Sequence, residues 1–180
     1  LKVERVVSQQ PKLVFMLGFM RRYDPSYVFA KNKIESAIVI RIFHNLKIPY
    51  TISAGRTNLT GSATPKEGFI ISIDNLNEVK PLVEKDKVTS STGIYLEDMR
   101  KSVIVQTQNQ FYYPVDPTSR KDAMIGGTVS CNASGFIPGD QGATRYWVEE
   151  LEMIIPNGRV VKCKRGQYIS MDSIFELDNK

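Results

Sequence analysis

With 180 residues, 42% of them hydrophobic and 24% charged, the chain is long enough to bury a core and too apolar to be disordered. Its net charge of +5 is scattered rather than gathered into runs, and no aromatic residues alternate with Lys and Arg, which argues against a nucleic-acid surface. Two cysteines, Cys131 and Cys163, and one histidine, His44, exclude a disulfide scaffold and a multi-histidine zinc centre.

Residues 1–22 are expected to form an N-terminal helical segment that Pro11 starts or interrupts. Its apolar stretch, 13–20, is too short to span a bilayer and lacks the features of a signal peptide. No transmembrane segment and a cytoplasmic location are therefore expected. Tyr23-Asp24-Pro25-Ser26 reads as a turn, and 27–30 as a short β-prone run. Asn32 or Lys33 opens a helix, because Ile34, Ala37, Ile38, Ile42 and Leu46 fall on one face. His44 belongs to this helix and is expected on its surface or half-buried. A strand over 47–52 follows, with Pro49 at its entry. Residues 69–73, rich in Ile, form the next strand. Strand, helix, strand, loop and strand make a small α/β lobe built on parallel pairs.

From about residue 79 the pattern changes. Short strands are expected over 87–91, 103–106 and 112–115, with a helix over 95–103. Residues 146–155 and 159–164 pair across Pro156-Asn157-Gly158, a strong hairpin signal. A boundary near 80–86 divides a first lobe, about 23–83, from a second, about 84–180, that is richer in antiparallel strands. The tail from Ile169 is weakly patterned, and no internal repeat occurs.

Two glycine-rich stretches stand about seventy residues apart. The first is Ser53-Ala54-Gly55-Arg56-Thr57-Asn58-Leu59-Thr60-Gly61-Ser62. The second begins at Pro117-Thr118-Ser119 and continues through Ile125-Gly126-Gly127-Thr128-Val129-Ser130-Cys131-Asn132-Ala133-Ser134-Gly135. Small polar residues let the backbone turn tightly, so that N–H groups converge into an anion-binding concavity. Neither stretch is a Walker A loop or a G-x-G-x-x-G fingerprint. For the first, phosphate binding and a tight strand connection both stay open. In the second, Gly126-Gly127 admits something flat against the backbone, and Ser130, Asn132 and Ser134 alternate as on one side of a strand. Gly142-Ala143-Thr144-Arg145 then forms a glycine turn entering the hairpin. Cys131 reads as a small packed thiol, Arg145 as a salt-bridge partner and Trp147 as core. Asp116 is placed to cap a turn or orient the next loop. No carboxylate pair stands out for acid–base chemistry.

The order Ile-Pro-Tyr, Gly55-Arg56-Thr57-Asn58-Leu59-Thr60-Gly61-Ser62, and a Pro-x-x-Gly before an Ile-rich strand resembles the FAD-binding domain of the vanillyl-alcohol oxidase and p-cresol methylhydroxylase flavoproteins. Pro114-Val115-Asp116-Pro117-Thr118-Ser119, Ile125-Gly126-Gly127, Asn132-Ala133-Ser134-Gly135 and Gly142-x-Thr144-Arg145 extend the likeness. Together these resemble the branch of D-lactate dehydrogenases, glycolate oxidase flavin subunits and 2-hydroxyglutarate dehydrogenases, over residues 24–162.

The resemblance implies an α+β, two-lobed PCMH-type domain, its small parallel α/β lobe joined to a larger antiparallel lobe with flanking helices. FAD would lie between the lobes. Ser53, Ala54, Gly55, Arg56, Thr57, Asn58 and Leu59 would wrap its pyrophosphate. Pro117, Thr118, Ile125, Gly126, Gly127, Ser130, Cys131, Asn132, Ser134 and Gly135 would flank the ribityl chain and isoalloxazine, and Gly142 and Thr144 would close the pocket. Arg56 stands near where some relatives carry a flavin-linking His, so the FAD is expected to be non-covalent. The family's later Gly-Ser-Glu-Gly-type motif is absent, and so is its substrate domain, which implies either an N-terminal fragment of a longer oxidoreductase, the favoured reading, or a degenerate piece; the catalytic residues are left unassigned and expected outside this chain. Residues 136–141 replace the usual short lead-in to a Tyr-Gly pair. The implied enzyme oxidises a 2-hydroxy acid such as D-lactate or glycolate, and reaches substrate and electron acceptor through regions outside this chain. An NADPH-dependent enolpyruvyl-sugar reductase and a non-catalytic module that kept the fold are the alternatives.

Overall fold

The computed structural model describes residues 26–137, 139–172 and 174. The helical segment expected over 1–22, the turn at 23–26 up to Pro25, and the end of the tail lie outside these residues.

The first unit grows from one helix and three short strands. β1 (Ser26–Phe29), β2 (Tyr50–Ser53) and β3 (Phe69–Ser72) form a parallel sheet in the order β1-β3-β2. Tyr50 pairs with Phe69 and Ser53 with Ser72, while Val28 sits opposite Ile71 on the other side of β3. Between β1 and β2 runs α1 (Lys33–Leu46), as its periodicity predicts. Asn32 caps it: the Asn32 Oδ1 accepts from the Glu35 N–H at 2.9 Å, and the Glu35 carboxylate accepts from the Lys31 N–H at 2.9 Å. Lys47 closes the helix in the left-handed region at φ +56°, so the strand expected from residue 47 begins only at Tyr50. An Asn32→Ala variant is expected to lose about 1 kcal/mol, read as an earlier midpoint in urea.

Strand partners share a face, so Val28, Tyr50, Phe69 and Ile71 look toward α1. Val39, Ile40, Ile42 and Phe43 fill the gap. The rings of Tyr50 and Phe69 stand 5.8 and 5.0 Å from that of Phe43. The opposite face carries Ile70, Ser72 and Ser53, all buried. Residues 54–68, the first glycine-rich loop and its continuation, connect β2 to β3.

The second unit holds a β4 (Leu82–Glu84) and β5 (Lys87–Thr89) hairpin, α2 (Leu96–Gln106) and α3 (Ile125–Ser130); a β6 (Glu150–Ile154) and β7 (Val160–Lys164) hairpin follows, its Ile154 packed against the core of the first unit. β4 was not expected, and the β4–β5 pair lies across residues 80–86. Ile94, Leu96, Met99, Val103 and Ala123 form its core, with Val83 and Val88 against them. The strand expected over 103–106 is the last turn of α2 instead. Val103 is four residues from Met99 and buries on the same face, which outweighs the β-preference of Val-Ile-Val. Residues 112–115 are in no strand, and Pro114 has no N–H to give a ladder. The β6–β7 hairpin forms across the expected turn, but its first strand begins at Glu150 rather than 146, because Thr144–Tyr146 is a 3-10 turn that ends at Trp147. Its turn glycine, Gly158, sits at φ +80° against Ala37 and Arg41 of α1, which ties the hairpin to the first unit.

Candidate functional site

The two glycine-rich stretches meet. β2 delivers Ser53 and Ala54 to the sheet's C-terminal edge, where ligands collect in parallel sheets. There Gly55 presses against the backbone of the second stretch: a Cβ on Gly55 would stand 1.9 Å from the Asp122 carbonyl oxygen. One position of α3 also touches this loop, since a Cβ on Gly127 would come within 3.2 Å of the Ala54 Cβ. Further along, the Asn58 amide reaches the Cys131 thiol at 3.6 Å. Residues 54–58 and 122–131 thus form two sides of one seam.

The first loop is shaped internally by Asn58 and Arg56. The Asn58 Oδ1 accepts from the Thr60 N–H at 2.8 Å and the Thr60 hydroxyl at 2.7 Å, a turn built by an Asn side chain. Arg56 is left-handed at φ +56°, a conformation that turns successive N–H groups the same way. Leu59 is fully exposed at the tip. Ser53, at the root, is 1% exposed, yet its hydroxyl has no hydrogen-bond partner among the described residues. Buried hydroxyls are normally bonded. An orphaned buried hydroxyl at the strand end that leads into a seam of close-set glycines fits a polar, phosphate-bearing ligand.

The second stretch differs from its expectation. Residues 125–130 form the short helix α3, and Asn132 turns left-handed at φ +47°, so Ser130, Asn132 and Ser134 do not alternate along a strand. The helix forms despite two glycines because its surroundings hold it. The Ile125 and Gly126 N–H groups donate to the Ile94 and Thr92 carbonyls, and the Thr128 hydroxyl donates to the Ile125 carbonyl at 2.8 Å. Gly126 is small for a neighbouring side chain: a Cβ there would meet the Thr92 Oγ1 at 1.8 Å. Ser130 and Cys131 are exposed, so Cys131 is not the packed thiol expected. Helix end and turn place it at the surface.

Residues 132–147 close one end. The Asn132 Oδ1 accepts from the Arg145 N–H at 2.9 Å, and the buried Thr144 donates through its hydroxyl to the Ala133 carbonyl at 2.7 Å. Ser134 bridges Ala143. Gly142 ends a 3-10 turn, Asp140–Gly142, where a Cβ would meet the Ile137 carbonyl at 1.7 Å. The Arg145 guanidinium lies 4.7 Å from the Tyr146 ring centroid and donates to the Tyr146 hydroxyl at 3.2 Å. Trp147 is 44% exposed rather than core; its indole N–H donates to the Gln141 carbonyl and its ring makes an edge contact with Tyr113. Burial pushes the Tyr113 hydroxyl above its usual range, against the pull of its hydrogen bond to Thr144.

Asp116 proves more central than its sequence context indicates. Its Oδ1 accepts from Arg120 at 2.5 Å and Arg100 at 3.0 Å. The hydrogen bond from Arg120, followed by the charge of Arg100, holds its carboxyl below the usual range against partial burial. Pro117 is buried and Thr118 exposed beyond it. Asp122 in the seam, and Thr92 and Asp116 behind its second wall, are the residues whose weight the sequence did not show. The acid–Pro pair and the Thr92-Gly93 turn were the available signals.

Among the described residues no helix is long and apolar enough to cross a membrane, and no cluster of His, Cys, Asp and Glu is arranged to hold a metal. Comparison with known proteins places this geometry. Residues 25–164 match the family model described as FAD binding domain. D-lactate dehydrogenase of Anaerostipes hadrus is 32% identical over 137 residues, 75% of this chain and 28% of that protein. Glycolate oxidase subunit GlcD of Bacillus subtilis is 28% identical over 86% of this chain and 33% of its own length. D-2-hydroxyglutarate dehydrogenase of Stutzerimonas stutzeri is 26% identical over 77% and 30%. The chain therefore spans about a third of the length of these relatives. In fold it is similar to chitooligosaccharide oxidase, with TM-score 0.70 and 12% identity over 91% of this chain and 37% of that one. Berberine bridge enzyme gives TM-score 0.65 and 22% identity over 77% and 28%. A parallel sheet with short antiparallel hairpins, two glycine-rich loops in contact and a family match over residues 25–164 agree: the chain belongs to the PCMH-type FAD-binding domain family of the vanillyl-alcohol oxidase and p-cresol methylhydroxylase flavoproteins.

Proposed function

We propose that this chain binds FAD non-covalently in the seam, as the flavin-holding part of an oxidoreductase that oxidises a 2-hydroxy acid of the D-lactate or glycolate kind. The observation that carries the reading is the contact between the loops, with the Gly55 α-carbon against the Asp122 carbonyl and the Ser53 hydroxyl buried and unpartnered beside it. Family membership supports the cofactor, and the printed activities of the D-lactate, glycolate and D-2-hydroxyglutarate relatives support the substrate class. Substrate and electron acceptor are reached through parts of the protein outside this chain, a two-lobe division lies near residue 83, and the setting is cytoplasmic.

Each stretch has its own task in this reading. Ser53, Ala54, Gly55, Arg56, Thr57, Asn58 and Leu59 hold the pyrophosphate, with backbone N–H groups and the Arg56 charge facing the anion. Pro117, Thr118, Ile125, Gly126, Gly127, Ser130, Cys131, Asn132, Ser134 and Gly135 flank the remainder, and Gly142 and Thr144 close the end. When bound, FAD supplies an acceptor for hydride at its N5, while the chain orients it and shapes the field around it. His44 lies in the last turn of α1 rather than in either loop, which supports a dissociable cofactor. The fold neighbour glucooligosaccharide oxidase instead carries FAD joined through a cysteine and a histidine.

Titration of the purified chain with FAD tests this. Saturable quenching of flavin fluorescence is expected, with a rise in melting temperature that reflects about 2.7 kcal/mol when free FAD reaches a hundred times Kd. Denaturation with acid should release all flavin to the supernatant. Absence of any binding overturns the reading in favour of a module that kept the fold alone, and flavin that stays with the precipitate overturns the non-covalent part.

A further inference from the structure

Asp116 touches both flanks of the second glycine-rich stretch at once. Its carboxylate holds Arg120 at 2.5 Å, and the Arg120 Nε reaches the Glu97 carboxylate at 3.2 Å. Arg120 belongs to a turn in which the Ser119 carbonyl accepts from the Asp122 and Ala123 N–H groups at 2.9 and 2.8 Å. That turn ends at the Asp122 carbonyl, the atom set against Gly55. On the other flank the Asp116 carbonyl accepts from the Phe136 N–H at 3.2 Å, and Gly135 lies so close that a Cβ would stand 2.2 Å from that carbonyl. The second guanidinium, Arg100 of α2, binds the same Asp116 oxygen and also donates to the Val115 carbonyl at 2.8 Å. The side chain therefore fixes 117–123 to α2, while the backbone fixes 133–136. The stretch between them, which carries α3 and one wall of the seam, is held at both ends by one residue.

We infer that Asp116 is a positioning residue for the flavin seam, setting the distance between the two glycine-rich walls through Arg120 and Arg100. The inference rests on the FAD reading above. A merely stabilising ion pair would change melting temperature and leave the affinity of the folded protein alone. A positioning residue changes affinity in protein that is still folded, and does so through its guanidinium partner.

The test is FAD titration of the full 180-residue chain as wild type, Asp116→Ala, Asp116→Asn, Arg120→Met and the Asp116→Ala/Arg120→Met double variant, each checked for folding by far-UV circular dichroism. Asp116→Ala is expected to raise Kd about tenfold. Asp116→Asn, whose Oδ1 still accepts from both guanidiniums, should recover most of that loss. The double variant should lose clearly less than the sum of the two single losses, because both substitutions cut the Asp116–Arg120 link, while Arg120→Met also frees Glu97. Wild-type affinity in folded Asp116→Ala overturns the inference, as do losses that simply add in the double variant. Should Asp116→Ala fail to fold, Arg120→Met decides: an unchanged Kd overturns the inference and a raised one supports it. A wild-type chain that binds no FAD overturns the flavin reading and this inference with it, whereas binding by wild type and variants alike overturns only this one.

Discussion

Gly55→Ala is expected to abolish measurable FAD binding and to lower the unfolding free energy by about 3 kcal/mol, the upper end of what overpacking does to a well-filled site. The added methyl would stand 1.9 Å from the Asp122 carbonyl oxygen, 3.0 Å from its carbon and 3.3 Å from the Ala123 Cα. These are all backbone atoms. They do not rotate away as a side chain does, so the two walls must separate. Separation is resisted on the Asp122 side by the turn on the Ser119 carbonyl, and on the other by strand β2. Gly126 makes the informative contrast. Its nearest neighbour, at 1.8 Å, is the Thr92 side-chain hydroxyl, which a change of rotamer moves. Gly126→Ala should therefore be much milder. Urea titration with and without saturating FAD separates the effects. If Gly55→Ala binds FAD as wild type does, the seam is not the cofactor site.

The sequence announced the composition of the seam but not its contacts. Tight loops of Gly, Ser, Thr and Asn are visible in any residue string, whereas the partner of Gly55 is a main-chain carbonyl that any residue at position 122 would supply. α1 was legible because an Asn cap, a helical stripe of Ile and Leu, and a Pro shortly after its end agree with one another. The β6–β7 hairpin was legible through Asn157-Gly158. α3 was not, since Ile-Gly-Gly-Thr-Val-Ser contains two of the poorest helix formers in six residues. Its helical geometry comes from the carbonyls of Thr92 and Ile94, which are thirty residues upstream in sequence and adjacent only in space. The end of α2 was misread for the opposite reason. Val103-Ile104-Val105 favours strand locally, and burial of Val103 beside Met99 decides for helix. Exposed Trp147 and Cys131 show the same limit: apolarity predicts burial on average and does not place a given residue.

Phe43→Ala is expected to destabilise the first unit by about 3–5 kcal/mol, the usual range for emptying a buried aromatic site. Phe43 is 0% exposed and sits where α1 crosses the sheet. Its ring is the common neighbour of Tyr50 on β2 and Phe69 on β3, the first residues of the two strands that anchor the glycine-rich loop. Each strand of the sheet has only four residues, so its ladder hydrogen bonds are few and packing against α1 carries the weight. A loss of this size is a large share of the 5–15 kcal/mol that keeps a typical domain folded. Phe43→Leu, which keeps most of the volume, should lose well under half as much. The affinity for FAD should follow stability here: protein that remains folded should bind normally, because Phe43 lies on the α1 face, away from Ser53 and Ser72 on the other. Chemical denaturation measures the first expectation, and titration under stabilising conditions measures the second. A loss below about 1 kcal/mol would mean that the helix–sheet contact is not the core of this unit. Normal stability with lost FAD binding would reverse the roles assigned to the two faces.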